Sequence, residues 1–161
     1  MGETQDQLQD LPDEVKAELE KHRQKYLQDP VSAHYWDPIV IGVPGGPVPC
    51  LLLSYTGRKT GRRYNTVLQY YRMKGKTAVI ASKGGAVNNP AWYVNLVANP
   101  DCELQIGAQH LRVVAHTVTG KERQAWWDLI STEQPIQLEY QARTTRLLPI
   151  VVFDVVAGSS N

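Results

Sequence analysis

The sequence predicts a mainly β protein: an antiparallel barrel of six to seven strands with helical additions. Three observations carry that prediction. Short apolar runs, several rich in β-branched residues, recur along the chain. Most are joined by tight glycine-containing turns, with helices inserted at only a few points. At 161 residues, 42% hydrophobic and 20% charged, the chain can bury a real single-domain core.

Taken in order, residues 1–9 read as a frayed tail. Pro12 suits a first helical turn, and Asp13 and Glu14 favour its positive end. Val15, Leu19, His22 and Tyr26 recur at helical spacing, predicting an amphipathic helix to about Gln28. This acidic leader over 1–30 is set apart from a body over 31–161. The helix either docks on the body or lies on a membrane surface. Its acids disfavour anionic lipid. Ile39–Val43 is an apolar run ended by the breakers Pro44-Gly45-Gly46-Pro47. Strands are predicted over Cys50–Tyr55, Tyr64–Arg72 and Thr77–Ala81. Cys102–Ile106 and Leu111–Val118 flank Gly107-Ala108 as a hairpin, and Ile150–Val156 is the last strand. Asn89-Pro90 predicts a helix to about Ala98, with Asn89 as its cap. Thr119-Gly120-Lys121-Glu122 reads as a capping box opening a helix through Ile130. A shorter helix is expected over Ile136–Arg143.

Charge is distributed unevenly. Residues 1–30 hold eight carboxylates against four cations, although the whole chain is only +1. Between Asp37 and Asp101 there is no carboxylate at all, but there are eight cations: Arg58, Lys59, Arg62, Arg63, Arg72, Lys74, Lys76 and Lys83. Four of them crowd Gly57–Arg63, between two strands. Lys83 sits in Ser82-Lys83-Gly84-Gly85, just ahead of the helix that starts near Pro90. Glycines let backbone amides approach an anion, and a helix N-terminus favours negative charge. Both loops therefore point to a ligand with several negative charges, and charge alone leaves nucleic acid, membrane and cofactor open.

Other classes are disfavoured. The Gly57–Arg63 loop lacks the spacing of a phosphate-binding loop of the GxxxxGK[ST] kind, and a strand follows it. His22, His34, His110 and His116 share no ligand spacing, and Cys50 and Cys102 read as packed, reduced thiols, so no metal is expected. A pI near 7.8 and cations confined to two loops argue against a nucleic-acid partner. No apolar run reaches the roughly 20 residues that span a bilayer. The polar N-terminus is not a secretory signal. A cytoplasmic location is expected, with membrane association open through the leader helix.

Several segments occur together in one order: Thr56-Gly57-Arg58-Lys59-Thr60-Gly61, Ala81-Ser82-Lys83-Gly84-Gly85, Asn89-Pro90-Ala91-Trp92-Tyr93-Val94-Asn95-Leu96, Asn99-Pro100, and Arg146 with Leu148-Pro149-Ile150-Val151-Val152. Over about residues 35–156 the chain resembles the deazaflavin-dependent nitroreductase family of actinobacteria. The resemblance implies a split β-barrel that binds coenzyme F420, a deazaflavin with a phosphodiester and an oligoglutamate tail. It implies that Arg58, Lys59 and Thr60 hold the phosphate and tail. Tyr64, Asn65, Thr66, Val67, Leu68 and Gln69 would run beside the cofactor. Ile80, Ala81, Ser82 and Lys83 would touch the ring and its side chain, and Ala91, Trp92, Tyr93, Val94 and Asn95 would close the far side.

The resemblance further implies hydride transfer from reduced F420 to a small electron-poor acceptor: a quinone, an activated alkene or a nitro compound. Ser82 and Tyr140 are the candidate catalytic groups, as hydrogen-bond donors to the acceptor's oxygen. An FMN-binding enzyme of the same barrel class and a non-catalytic F420 carrier are the alternatives. Val67 replaces a proline common in the family. Gln134, Ile136, Gln137 and Leu138 stand where nitroimidazole-reducing members carry tyrosines, which disfavours nitroimidazoles as substrates. A monomer or a homodimer is expected.

Overall fold

The computed structural model describes residues 11–156; the tail expected over 1–9 lies outside them. Helix α1 spans Asp13–Gln28, with Asp13 and Glu14 in its first turn, where the helix dipole favours acids. Asp29 then accepts a hydrogen bond from the Ser32 amide and starts a single helical turn, α2 (Pro30–Ala33). A two-residue strand, β1 (Tyr35–Trp36), follows. Pro38–Ile41 is a 3-10 turn, opened by Asp37, whose carboxylate accepts from the Ile39 amide, and closed by Gly42 at φ 85°. The apolar run from Ile39 is thus a turn at the end of the barrel.

The sheet closes through one strand that changes partner. β2 (Val48–Thr56) pairs antiparallel with β3 (Arg63–Gln69), from Cys50↔Gln69 to Thr56↔Arg63. β4 (Tyr71–Met73) pairs with β5 (Lys76–Ile80). Only Tyr70 separates β3 from β4, and its amide donates to Pro49 O at 3.1 Å. The single strand expected over Tyr64–Arg72 therefore breaks at Tyr70. β6 (Asp101–Ile106) and β7 (Gln109–Thr117) form the expected hairpin, and β8 (Ile150–Val155) joins β7 to β5. β2 also pairs with β6, which completes a ring β2–β6–β7–β8–β5–β4/β3. The architecture is a split antiparallel barrel, with eight strands among the described residues.

Alternation sends neighbouring residues to different cores. Leu51, Leu53, Tyr55, Val79, Val151 and Phe153 fill the barrel with Trp92 and Leu96 of helix α3 (Ala91–Ala98). Ala78, Ile80, Ile150 and Val152 face outward under Trp126 and Ile130 of helix α4 (Gly120–Glu133). Cys50 and Leu52 face outward under Tyr26 of α1. Each fully buried Val, Leu or Ile contributes about 1.5–3 kcal/mol. The final helix, α5, is Ile136–Ala142.

Two caps differ from expectation. Pro90, not Asn89, occupies the cap position of α3, because the Asn89 side chain accepts from Arg146 Nη1 at 2.8 Å. Thr119 caps α4 by position, but no side-chain cap bond forms, so the capping box is not made. No helix among the described residues is long and apolar enough to cross a membrane.

Candidate functional site

A cleft of about 520 Å³ lies against the outer face of β3. Val67 and Gln69 alternate outward there with Asn65, while Thr66 and Leu68 share the register of the inward-facing Leu53 and Leu51. Ile80 at the end of β5, the 82–86 loop, Trp92 of α3, and Gln134, Gln137 and Tyr140 around α5 complete one side. Leu11, Pro12, Val15, Leu19 and His22 form a further wall, with Leu11 3.8 Å from where a Gly84 Cβ would stand, and Trp36, Pro38 and Ile41 also line the cleft. Among the described residues, none that lines the cleft is a carboxylate.

The 82–86 loop is held in an unusual shape. Lys83, Gly84 and Gly85 have φ of 46°, 64° and 81°. Positive φ is uncommon for a residue with a side chain, so Lys83 is strained. Gly85 has a second reason to be glycine: a Cβ there would collide with Tyr140 O and Arg143 Cβ of the α5 segment. The loop is locked from behind by Arg146, whose guanidinium donates to Ala81 O at 3.1 Å, Ser82 O at 2.7 Å, Ala86 O at 2.8 Å and Asn89 Oδ1. Arg143 adds a bond to Gly84 O at 3.3 Å. With its carbonyls taken by arginines, the loop turns Ser82, which is buried, and Lys83 into the cleft lining.

The first basic loop continues β3 away from the cleft. Arg63 is three residues before Thr66, roughly 10 Å along an extended strand. Asn95 bolts this loop to α3. Its fully buried side-chain carbonyl accepts from the Arg58 amide at 2.7 Å and from Arg58 Nη1 at 3.3 Å, and its amide donates to Ala91 O. At Gly57 a Cβ would stand 2.7 Å from Thr60 Oγ1 and from the Tyr64 ring, so the loop folds tightly over that tyrosine. Thr60 Oγ1 and Tyr64 Oη are 3.0 Å apart.

The structure thus separates the sequence candidates into groups. Thr66, Val67, Leu68, Gln69, Ile80, Ser82, Lys83, Trp92 and Tyr140 line the cleft. Arg58, Lys59, Thr60 and Tyr64 form the basic loop beyond it, and Asn95 and Ala91 support that loop. The remainder are directed elsewhere. Asn65 accepts from Arg23 Nη1 of α1 at 2.7 Å. Tyr93 Oη meets Thr117 Oγ1 at 2.7 Å on the β7 side. Val94 is exposed on α3, and Ala81 packs into the barrel core. Asn65, Tyr93, Val94 and Ala81 thus have their contacts or exposure away from the cleft.

The acid-free stretch is not acid-free in space. Glu103 of β6 lies 3.6 Å from Arg63, and Asp154 of β8 lies 3.4 Å from Lys76. Arg72 is spent on Thr77 and Gly75 of its own hairpin. Positive charge in the two basic loops thus rests on Arg58, Lys59, Arg62 and Lys83.

Several titratable groups border the cleft. Burial raises the Tyr140 phenol above its ordinary range and raises Tyr71 further. Tyr71 Oη and Gln137 Oε1 are buried beside one another without a hydrogen bond of good geometry among the described residues. Burial lowers His22, whose Nε2 is 2.9 Å from Ala33 O and whose ring stacks on Trp36 at 4.8 Å. Burial also pushes the Cys50 thiol up to about 12, which makes it a poor nucleophile. Among the described residues no cluster of His, Cys, Asp and Glu is suited to a metal ion. The walls given by α1, by the 38–43 turn and by Tyr71 are the lining that sequence reasoning missed. The Val15, Leu19, His22 periodicity was the available signal for α1.

Comparison with known proteins supplies relatives for this arrangement. Residues 37–154 match a family model described as F420H(2)-dependent quinone reductase. The F420H(2)-dependent quinone reductase Rv1261c of Mycobacterium tuberculosis is 38% identical over 113 residues, which is 68% of this chain and 75% of the relative. A solved structure described as an F420-H2 dependent reductase (FDR-A) is 37% identical, with a TM-score of 0.61 over 66% of this chain and 94% of that one. A second solved chain, described as a domain-swapped dimer, is 30% identical, with a TM-score of 0.63 over 86% of this chain and 98% of that one.

Proposed function

Because the chain belongs to the F420H(2)-dependent quinone reductase family, we propose that it is an oxidoreductase that uses reduced coenzyme F420 to reduce a quinone-type acceptor. One observation carries the reading at the level of residues. An apolar cleft, with no carboxylate among the described residues that line it, runs along β3 and gives way, at the strand's far end, to the Arg58–Arg62 loop. That sequence of surfaces fits a ligand with a planar ring at one end and a polyanionic tail at the other.

When bound, F420H2 supplies a hydride to the acceptor. Arg58 and Lys59 hold the phosphodiester and glutamate tail, with Arg58 presented by its bonds to Asn95. Thr60 helps to shape the loop through Tyr64 and the Arg62 amide. Val67, Ile80 and Trp92 give apolar surface to the ring, and Lys83 sits at the mouth. Ser82 and Tyr140 donate hydrogen bonds to the acceptor's oxygen as negative charge develops on it. The raised pKa of Tyr140 supports that role, because the phenol keeps its proton through neutral and moderately basic pH. Among the described residues, no lining carboxylate or activated thiol offers a nucleophile, which suits hydride transfer. The division into a 1–30 leader and a 31–161 cofactor-binding body is kept as part of this reading, with α1 acting as a wall. A homodimer is the proposed assembly, by analogy with the 30% identical relative.

Parallel fluorescence titration of the purified protein with F420 and FMN, followed by assay of F420H2 oxidation with a naphthoquinone, tests the proposal. Tight F420 binding, weak FMN binding and quinone-dependent oxidation are expected. FMN binding as tight as F420 binding would overturn it.

A further inference from the structure

Helix α1 lies outside the matched family segment, which begins at residue 37, yet it forms one wall of the cleft. Its two halves behave differently. The C-terminal half is bolted to the barrel. Tyr26 Oη donates within 2.9 Å of Cys50 O and 3.1 Å of Gln105 O, and accepts from the Gly107 amide at 2.9 Å. His22 meets Ala33 O, and Arg23 ties Glu20 to Asn65 of β3. Among the described residues, the N-terminal half makes no such bonds to the barrel. Val15 and Leu19 are only half-buried, and both face the cleft together with Leu11.

The two faces of that half differ in chemistry. Toward the cleft it offers Val15 and Leu19, next to His22 of the anchored half, which stacks nearly parallel on Trp36, at 9°. Beside that stripe on the helix, Asp13 pairs with Lys16 at 3.6 Å and Glu20 with Arg23 at 2.8 Å, which leaves Glu14 and Glu18 as the acids of Asp13–Glu20 outside an ion pair. The basic loop at the far end of β3 has the opposite sign. Lys83 and Arg143 line the cleft as well, so the acids of α1 bear only on a ligand at its α1 edge.

Resting on the function proposed above, we infer that the N-terminal half of α1 is the specificity wall of the acceptor subsite. Val15, Leu19 and the His22–Trp36 stack select a neutral, planar, apolar acceptor, and Glu14 and Glu18 disfavour anionic ones at the α1 edge. The wall is a property of this chain's leader and acts on the acceptor without touching the tail-binding loop.

The inference is tested by binding, without turnover. Quenching of tryptophan fluorescence by a neutral naphthoquinone and by its ring-sulfonated analogue is measured in the full-length protein. Trp36→Phe identifies the cleft-specific part of the signal. The neutral compound is expected to bind more tightly. Leu19→Trp, and separately Val15→Trp, which fill half-buried positions without entering the core, are each expected to weaken it by about tenfold. Glu14→Lys with Glu18→Lys is expected to raise affinity for the sulfonate by about fivefold to tenfold at low salt. F420 affinity, read from the cofactor's own fluorescence in the same samples, is expected to stay level in all variants. Equal affinity for the two quinones, or neutral-quinone binding unmoved by both tryptophan substitutions while F420 still binds, would overturn the inference alone. Failure of F420 to bind the unmodified protein would overturn the function beneath it.

Discussion

Arg146 reaches across 64 residues to donate its Nη2 to the carbonyl of Ser82 at 2.7 Å. That bond, with three more from the same guanidinium, holds the strained Lys83–Gly85 turn against the cleft. A lysine ammonium is a point donor and cannot span four acceptors placed for a planar fork. Arg146→Lys is therefore expected to cost about 1.5–3 kcal/mol, the range for a hydrogen bond to a charged group. Thermal melts check the stability, and F420 titration should show a parallel loss of affinity.

Gly85 carries the same turn from the other side. Gly85→Ala combines positive φ, worth roughly 1–2 kcal/mol for a residue with a Cβ, with a collision against Tyr140 O. The expected result is a lower melting temperature together with a displaced α5, seen as reduced quinone turnover. Gly42, where a Cβ would meet open space, serves as the control: Gly42→Ala should show only the φ penalty.

The Arg58–Arg62 loop should behave as an electrostatic clamp. Arg58→Ala with Lys59→Ala is expected to weaken F420 binding by about 1–3 kcal/mol. Exposed pairs are screened by salt, so the unmodified protein's affinity should fall as ionic strength rises, and the double variant's should fall less steeply. Unchanged F420 affinity in the double variant would show that the loop is a solvated hairpin.

Tyr140 lines the cleft with the Arg143 guanidinium 5.2 Å from its ring centroid. Tyr140→Phe keeps the ring and removes the donor. A fall in kcat for quinones with level F420 affinity is expected, the pattern of an interaction made in the transition state. Bicyclic nitroimidazoles are expected to be poor substrates of the unmodified protein, because Gln134, Ile136 and Gln137 line this part of the cleft. Efficient turnover of them would refute the substrate argument and leave the cofactor argument standing.

Stability should fall with acid through two histidines. Burial lowers the pKa of His22 and of His34 in the folded state. The unfolded chain then takes up protons first, so this contribution is fully present above about pH 6.5 and is lost as pH falls below it. Melting temperatures measured from pH 7.5 to 5 should decline, and His22→Gln should flatten the decline. An unaltered slope in that variant would exclude His22 as its source.

The sequence by itself determined the strand and helix inventory to within a few residues, the β6–β7 hairpin, the two glycine-bearing loops and the order of motifs that marks the family. These are local properties, written in periodicity, breakers and short-range spacing. Ser82, Lys83, Val67 and Trp92, which line the cleft, were legible as candidates for the same reason: they sit in motifs. What only the tertiary structure decided depends on contacts distant in the chain. Tyr70, one residue in a continuous β pattern, is where the strand changes partner and the barrel closes. Asn65 and Tyr93 lie inside the right motifs yet face Arg23 and Thr117, which lie far off in the sequence. Glu103 and Asp154 neutralise cations that no nearby residue could. Helix α1 becomes a wall of the cleft through bonds from Tyr26 and Arg23 to residues 24 to 81 positions away, a distance over which spacing in the sequence carries no geometric information.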